Sequence, residues 1–353
     1  MKRFVQARVN GGSNYDSLKL PKDTAIPFFH SEPGDGGLGI LNIQRRIPIM
    51  QRERLGRIIT ECGDPVVRAI VEEEWDPEGF RRILSVKEYG GTPVETKHEL
   101  HSLTADELYK TVDGRGLKLA NQVAKAQKWV TNGEARCNGH VFVGAVGVRA
   151  NTLPTKLRMS RGYPEYDRTC DVAACGNLVQ SLDHILQKCP RTHGARVQRH
   201  NKVESFIANK AKKRGWKVVS EPRILTTKGY RIPDLVLEKG GNVVVTDVSI
   251  VTDSWDDLST PHKEKVVKYD LPEIKEFCQN KYGNGSPLFS AAIISWRGVW
   301  AKESATDLVG FGILGPRDLR TLSLMVCEAG ARIHRINYCS GWRGKPQRRV
   351  GVG

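Results

Sequence analysis

The sequence predicts a multidomain chain of mixed α+β and α/β class, with a helical first half, a small cysteine-and-histidine knuckle and an α/β unit built on a small mixed sheet. Three observations carry this. Apolar residues recur at helical spacing between Leu41 and Val130, Cys170, Cys175, His184 and Cys189 crowd into one short stretch, and β-branched runs dominate beyond Gly215. At 353 residues the chain exceeds one ordinary compact domain, against a prior of roughly one per 100–200 residues.

Charge narrows the partners. Lys and Arg number 55 against 39 Asp and Glu, a formal net charge of +16. Such an excess attracts polyanions over long range, so nucleic acid is the first expected partner. No apolar run approaches the roughly 18 residues of a membrane span, and no basic amphipathic anchor stands out, so no membrane partner is expected. The start, Met1-Lys2-Arg3-Phe4, lacks the apolar stretch of a secretory signal, which leads us to expect a reducing compartment. Cys62, Cys137, Cys278, Cys327 and Cys339 are scattered and read as ordinary thiols.

Taken in order, residues 1–35 mix Gly, Ser, Asn and Pro with short apolar clusters, ending in Phe28-Phe29-His30 and the turn Asp35-Gly36-Gly37-Leu38-Gly39. A helix is expected from Leu41, with Pro48 opening a second one, because the missing proline N–H costs nothing in a first turn. Gly63-Asp64-Pro65 stops it, and 66–74 reads as another helix. Gly90-Gly91-Thr92-Pro93 reads as a linker. Thr104-Ala105-Asp106-Glu107 has capping-box spacing, in which a hydroxyl and a carboxylate satisfy orphan N–H groups, so a helix is expected to begin there. After a turn at 113–116, residues 117–130 read as a Lys-rich amphipathic helix, and the whole of 41–155 as α.

A basic loop follows, with Lys156, Arg158, Arg161 and Arg168, and beyond the cysteines stand Arg191, Arg196 and Arg199. A long basic helix is expected over 195–214, with Val203, Phe206 and Ile207 on one face and Gly215 as its stop. Strands are expected at Val218-Val219, at 235–237 and over 243–251, the last two joined as a hairpin by Gly240-Gly241-Asn242. A Lys-rich helix over 261–278, a buried strand over 291–296, a helix over 316–333 and a basic tail over 341–353 complete the pattern.

Cys170, Cys175, His184 and Cys189 form C-x4-C-x8-H-x4-C, three thiolates and an imidazole, a tetrahedral set suited to zinc. Four protein ligands leave no open position, so the implied role is structural. The stretch 182–186 places His184 on a helical turn that brings Cys189 toward the same ion. The flanking cations Lys156, Arg158, Arg161, Arg168, Arg191, Arg196 and Arg199 are candidate phosphate contacts, although charge runs also form plain solvated faces.

Arg231-Ile232-Pro233-Asp234 opens one strand, and Asp247 lies in the next within an otherwise apolar run. In a hairpin the two aspartates can converge at one end and offer the hard oxygen ligands magnesium prefers. A buried carboxylate without a partner is costly, so Asp247 should meet a cation or a metal. Downstream, helical spacing puts Lys265, Lys268 and Tyr269 on one side. Together these residues fit phosphodiester hydrolysis, in which a metal activates water and an ammonium offsets developing charge. Singly, they also fit a turn aspartate, an ion-paired aspartate and a solvated helix face.

Pro233-Asp234, Asp247 and Lys265-x-x-Lys268-Tyr269, preceded by the knuckle ending His184-Ile185-Leu186-Gln187-Lys188-Cys189, resemble the site-specific non-LTR retrotransposon polyproteins that insert into ribosomal RNA genes. Phe28-Phe29-His30 with Asp35-Gly36-Gly37-Leu38-Gly39 is similar to the end of that family's reverse-transcriptase thumb, and Arg149-Ala150-Asn151-Thr152-Leu153-Pro154 to the linker before its knuckle. The resemblance implies a C-terminal fragment divided into the end of the thumb (1–62), a helical linker (63–155), the zinc knuckle with basic flanks (156–200), a restriction-like endonuclease of the PD-(D/E)xK type (201–340) and the basic tail. It implies a metal-dependent DNA endonuclease acting in target-primed reverse transcription, with target DNA, ribosomal DNA by resemblance, and element RNA as partners, and the nucleus as the place of action.

The polymerase signature Tyr/Phe-x-Asp-Asp is not found here, since Trp255-Asp256-Asp257 has the wrong neighbours, so polymerase activity is not expected of this segment. One departure stands out. The usual restriction motif has lysine two residues after the second acid, and Ser249 occupies that place. The resemblance implies that the lysine comes from the following helix, with Lys265 and Lys268 both open, and leaves Arg231 as a phosphate contact or an ion-pair partner. The alternatives are a catalytically inactive zinc-dependent nucleic-acid-binding module and a host protein derived from such an element.

Overall fold

The computed structural model describes residues 20–73, 77–131, 138–163, 165–252, 257–283 and 285–340. The stretch before Leu20, Cys137, Trp255-Asp256 and the expected basic tail lie outside the described residues.

The first half is helical, as expected, with differences that have physical causes. After a short helical turn at Ile26–His30 comes α1, Ile43–Glu61, one helix where two were expected, with Pro48 inside it. The Asn42 side chain accepts from the Arg45 N–H at 3.2 Å and starts the helix upstream, so Pro48 falls in the second turn and removes one i→i−4 bond. Next are α2, Pro65–Glu73, and α3, Pro77–Leu84. The expected linker is instead the turn of a hairpin between β1, Lys87–Tyr89, and β2, Thr92–Val94. Gly90 and Gly91 both take positive φ, the backbone a two-residue hairpin turn requires.

Helix α4, Lys97–Lys110, begins eight residues before the expected start, because Thr96 and Glu99 form the capping box. Thr104 lies within the helix, where its hydroxyl donates to the Leu100 carbonyl at 2.7 Å. Residues 115–130 do not form the expected amphipathic helix but a succession of 3₁₀ turns around one α-turn. Leu117, Ala120, Val123, Ala126 and Trp129 all turn inward at strict three-residue spacing, the period of a 3₁₀ helix.

Helix α5, Gly139–Arg149, packs against the last described helix, where Gly144 faces Ala331 and Gly330 faces Val148 closely. At its end the buried Arg149 donates to the Gly36 carbonyl and to Gln127 Oε1, each at 2.7 Å, with its guanidinium over the Trp129 ring. This arginine ties the early glycine turn to the segment leading into the cysteines.

Helix α6, His193–Lys213, stops at Gly215 and leads into the sheet. Strands β3, Lys217–Ser220, β6, Leu235–Lys239, β7, Asn242–Val251, and β8, Leu288–Ser295, lie in the order β3-β6-β7-β8, antiparallel except for the parallel pair β7 and β8. A separate ribbon, β4, Ile224–Thr226, and β5, Gly229–Arg231, precedes β6. The crossover from β7 to β8 is two helices, not one: α7, Ser259–Tyr269, and α8, Pro272–Tyr282. Pro272 cannot donate an N–H and holds Leu271 extended, which breaks the expected helix. Helix α9, Lys302–Gly310, follows, and α10, Pro316–Ser340, runs seven residues past its expected end.

Strand alternation sorts the core. Leu235, Leu237, Val244 and Val248 face Val203 and Ile207 of α6 and Leu322 and Val326 of α10. Val236, Val243 and Val245 face Tyr269, Ile274 and Cys278 on the other side. A further apolar cluster runs from Leu20 and Phe28 through Trp129, Ile185 and Ile293 to Ile333, joining helical, cysteine-bearing and sheet segments. Burial on this scale, at about 25 cal/mol per Å² of apolar surface, is the main stabilising term. Among the described residues no helix is long and apolar enough to cross a membrane.

Candidate metal centre and carboxylate site

Residues 169–189 wrap into a small knuckle. Thr169 bridges Val179, the Cys170 N–H donates to Leu178 at 2.8 Å, and Gly176 takes the left-handed turn after Cys175. His184 opens a π-helical turn, and the Cys189 N–H donates to the His184 carbonyl at 2.8 Å, which brings the third thiol beneath the imidazole. The four ligand atoms all lie within 4.8 Å of one another, and Cys189 Sγ is 3.9 Å from the sulfurs of both Cys170 and Cys175. A tetrahedral zinc with Zn–S bonds of ~2.3 Å sets its sulfurs about 3.8 Å apart. Both ring nitrogens of His184 are buried with no protein hydrogen bond, leaving a lone pair for an ion. Burial and the neighbouring sulfurs push the Cys175 thiol up to about 12, and burial lowers the His184 pKa. This donor set can hold one zinc ion.

The seven flanking cations divide, and most are engaged within the protein. Arg158, buried, pairs with Asp113 and Asp23 at 2.8 Å, and Arg161 makes two 2.6 Å bonds to Asp113. Lys156 pairs with Asp167 at 3.0 Å, and Arg191 makes two 3.0 Å bonds to Asp171. Arg196 donates to the Gln187 and Cys189 carbonyls, and the buried Arg199 to the Leu186 carbonyl and Gln187 Oε1. Arg168 is half-buried. The Asp113 and Asp23 pairs tie the basic loop to the helical half, while the Asp167 and Asp171 pairs stay within the loop and the knuckle region.

The second site forms where β6 and β7 begin to part. The register of the two strands ends with Leu235 paired to Thr246, and Asp234 and Asp247 are the next residue on either side. By strand parity Asp247 lies on the face of Val243 and Val245, toward α7, whereas Asp234 precedes β6 and its carboxylate reaches His200 of α6. Asp234 Oδ2 accepts from the Val248 N–H at 2.6 Å. Asp247, only 3% exposed, pairs through Oδ2 with the Lys265 ammonium at 2.6 Å, while Oδ1 accepts from the Tyr269 hydroxyl at 2.7 Å. Lys268 donates to the Tyr269 oxygen at 2.9 Å. The two lysines left open by the sequence therefore differ: Lys265 contacts the acid, and Lys268 contacts the tyrosine.

Burial, then Asp247 and Asp234, raise the Tyr269 pKa well above the usual phenol range, with Arg231 opposing. That phenol stays a proton donor at neutral pH and senses both carboxylates and the arginine. Arg231 ends β5, its Nε buried without a hydrogen bond. Both carboxylates thus meet neighbours that donate protons or positive charge, Asp247 through Lys265 and Tyr269 and Asp234 through the Val248 N–H and His200.

Sequence reasoning missed two participants. His200 of α6 lies 3.2 Å from Asp234 Oδ2 and 3.1 Å from the Val248 carbonyl, and the bond to Asp234 lifts its pKa to about 9. Glu204, one turn along, has its pKa raised by burial and by Asp234 and Glu221. The signal was present as a histidine and a glutamate at i and i+4, but their orientation toward Asp234 depends on how α6 crosses the sheet.

No family model matches the chain. Among curated proteins it is similar to the retrovirus-related Pol polyprotein from type-2 retrotransposable element R2DM of Drosophila melanogaster, 33% identical over 333 residues, covering 92% of this chain and 30% of the relative. The Pol polyprotein from type-1 retrotransposable element R2 of Nasonia vitripennis is 32% identical over 84% of this chain and 28% of its own length. One from Popillia japonica is 30% identical over 81% of this chain and 58% of its own length. The chain is homologous to part of R2 retrotransposon Pol polyproteins and spans about 30% of the length of the first two.

Proposed function

From that homology, we propose that this chain is the DNA-nicking part of a non-LTR retrotransposon polyprotein, a metal-dependent endonuclease of restriction-like type joined to a zinc knuckle. Its action is target-primed reverse transcription, in which a nick in target DNA, ribosomal DNA by family resemblance, primes copying of element RNA in the nucleus. The observation that carries the reading is the Lys265–Asp247 contact of 2.6 Å, with Asp234 and Asp247 adjoining the Leu235–Thr246 pair that ends the register.

Asp234 and Asp247 would hold magnesium, which when bound polarises the scissile phosphate and lowers the pKa of the attacking water. Lys265 orients that water or offsets charge developing on the phosphate. Tyr269 holds Asp247 at the angle that faces Asp234, and Lys268 fixes the tyrosine. Protonated His200 fixes Asp234 from the other side and adds positive charge near the phosphate. Arg231 is placed to contact the phosphate from the ribbon that leads into Asp234.

A second reading has one observation in its favour: both acids already have cationic partners, Asp247 in Lys265 and Asp234 in His200, as structural ion pairs would. The protein would then be an inactive nucleic-acid-binding module. Supercoiled DNA containing candidate target sequence, incubated with protein and magnesium, separates the two. Nicking by the wild type and none by Asp247→Ala supports the nuclease, whereas equal nicking removes the assignment and binding without nicking favours the module.

A further inference from the structure

The ribbon β4–β5 has two unlike faces. Ile224 and Thr226 are buried against the sheet side, while Leu225 and its direct cross-strand partner Tyr230 are 66% and 56% exposed. Ile232, next along the same outer face, is 44% exposed, and the Arg223 guanidinium lies over the Tyr230 ring at 4.7 Å. Lys228 stands exposed at the ribbon tip. An aromatic, two aliphatic side chains and two cations thus form one solvent-facing strip. Its far end is anchored to the carboxylate site, since the Tyr269 hydroxyl that meets Asp247 also donates to the Ile232 carbonyl at 3.1 Å.

We propose that this outer face is a duplex-reading ribbon, which seats double-stranded DNA over the carboxylates by placing Leu225, Tyr230 and Ile232 against bases and sugars in a groove while Arg223 and Lys228 contact phosphates. The inference rests on the nuclease reading for its choice of DNA. Charge complementarity supports it. The strip's own charged residues, Arg223 and Lys228, are cationic in a chain of formal charge +16, and the acid at its tip, Glu273 of α8, is taken up by the Thr227 N–H at 2.8 Å. A two-stranded ribbon is one of the two elements that fit the major groove, and apolar wedges are a common device in the minor groove. Exposed apolar side chains at this position would otherwise carry a solvation cost without return.

The test uses a short fluorescein-labelled DNA duplex of mixed sequence, without added magnesium, read by anisotropy across a salt series. Leu225→Ser with Tyr230→Ser should weaken binding about tenfold, within the range for losing base or sugar contacts, while the slope against salt stays unchanged because no charge is lost. Arg223→Gln with Lys228→Gln should reduce that slope by about two. Tyr230→Phe should bind like the wild type. All these positions are exposed, and an unchanged melting temperature confirms folding. Wild-type affinity in the Leu225/Tyr230 double variant overturns the proposal and leaves the strip as a face for other protein. Magnesium-dependent nicking is scored separately: a wild type that binds through the ribbon but does not nick sinks the nuclease reading alone.

Discussion

His200 Nε2 lies 3.2 Å from Asp234 Oδ2, a contact that joins helix α6 to the residue opening β6. Its folded pKa, about 9, stands above the ~6.5 of a free imidazole. A raised folded pKa contributes stability that is complete below pH ~6.5 and is lost as pH rises through about 9. The melting temperature of the wild type should therefore fall more between neutral pH and pH 10 than that of His200→Gln. Parallel curves for the two proteins would show that the pair contributes nothing.

Tyr269→Phe removes the hydroxyl that satisfies Asp247 Oδ1 and the Ile232 carbonyl. Leaving a buried carboxylate oxygen without its donor costs about 1–3 kcal/mol. Urea unfolding should show that loss at unchanged m-value. Nicking should fall as well, because Asp247 loses its orientation while Lys265 stays in place. A variant as stable and active as the wild type would refute this role.

Lys265→Met isolates the ammonium. Nicking should drop by about 10²-fold or more if it stabilises charge in the reaction. Lys268→Met, one contact further from the acid, should lose less. The reverse order of the two would move the lysine role to Lys268.

Cys175→Ser opens the knuckle. Wild-type protein should carry about one zinc per chain and the variant markedly less, with a melting temperature lower by several degrees, since structural zinc supplies folding energy. Native protein purified without zinc, measured by atomic emission, would defeat the assignment.

Arg158→Ala tests whether a flanking arginine serves the fold or the phosphate. Its buried bonds to Asp113 and Asp23 predict a destabilisation of about 3–5 kcal/mol, reduced by the share Arg161 retains on Asp113. Salt dependence of DNA binding by the folded variant should be unchanged. A shallower salt slope with intact stability would restore the phosphate role.

The knuckle was legible because its ligands are close in sequence, so spacing alone encodes the geometry. The hairpin that carries the two aspartates was legible for a similar reason: Gly240 and Gly241 close a tight turn, and the register then follows by counting back to Leu235 and Thr246. His200 was not, since its partner comes from a tertiary crossing. The ion pairs of the basic flanks were not legible, because a charge pattern does not reveal its counter-ions and Asp113 lies outside the loop that carries Arg158 and Arg161. Residues 115–130 carried a period of three that a search for amphipathic α-helices absorbs as noise. Ser249 stands in the usual lysine place, while Lys265 of α7 reaches Asp247 at 2.6 Å.

Helix α10 packs against α5, α6 and the turn bearing His184, and it is the last helix to leave the ribosome among those described. Vectorial synthesis therefore keeps the earlier helices and the sheet waiting, with their apolar faces unsheltered, until the stretch beyond Pro316 emerges. A polypeptide abandoned before that point would leave those apolar faces sticky and become a target for quality control.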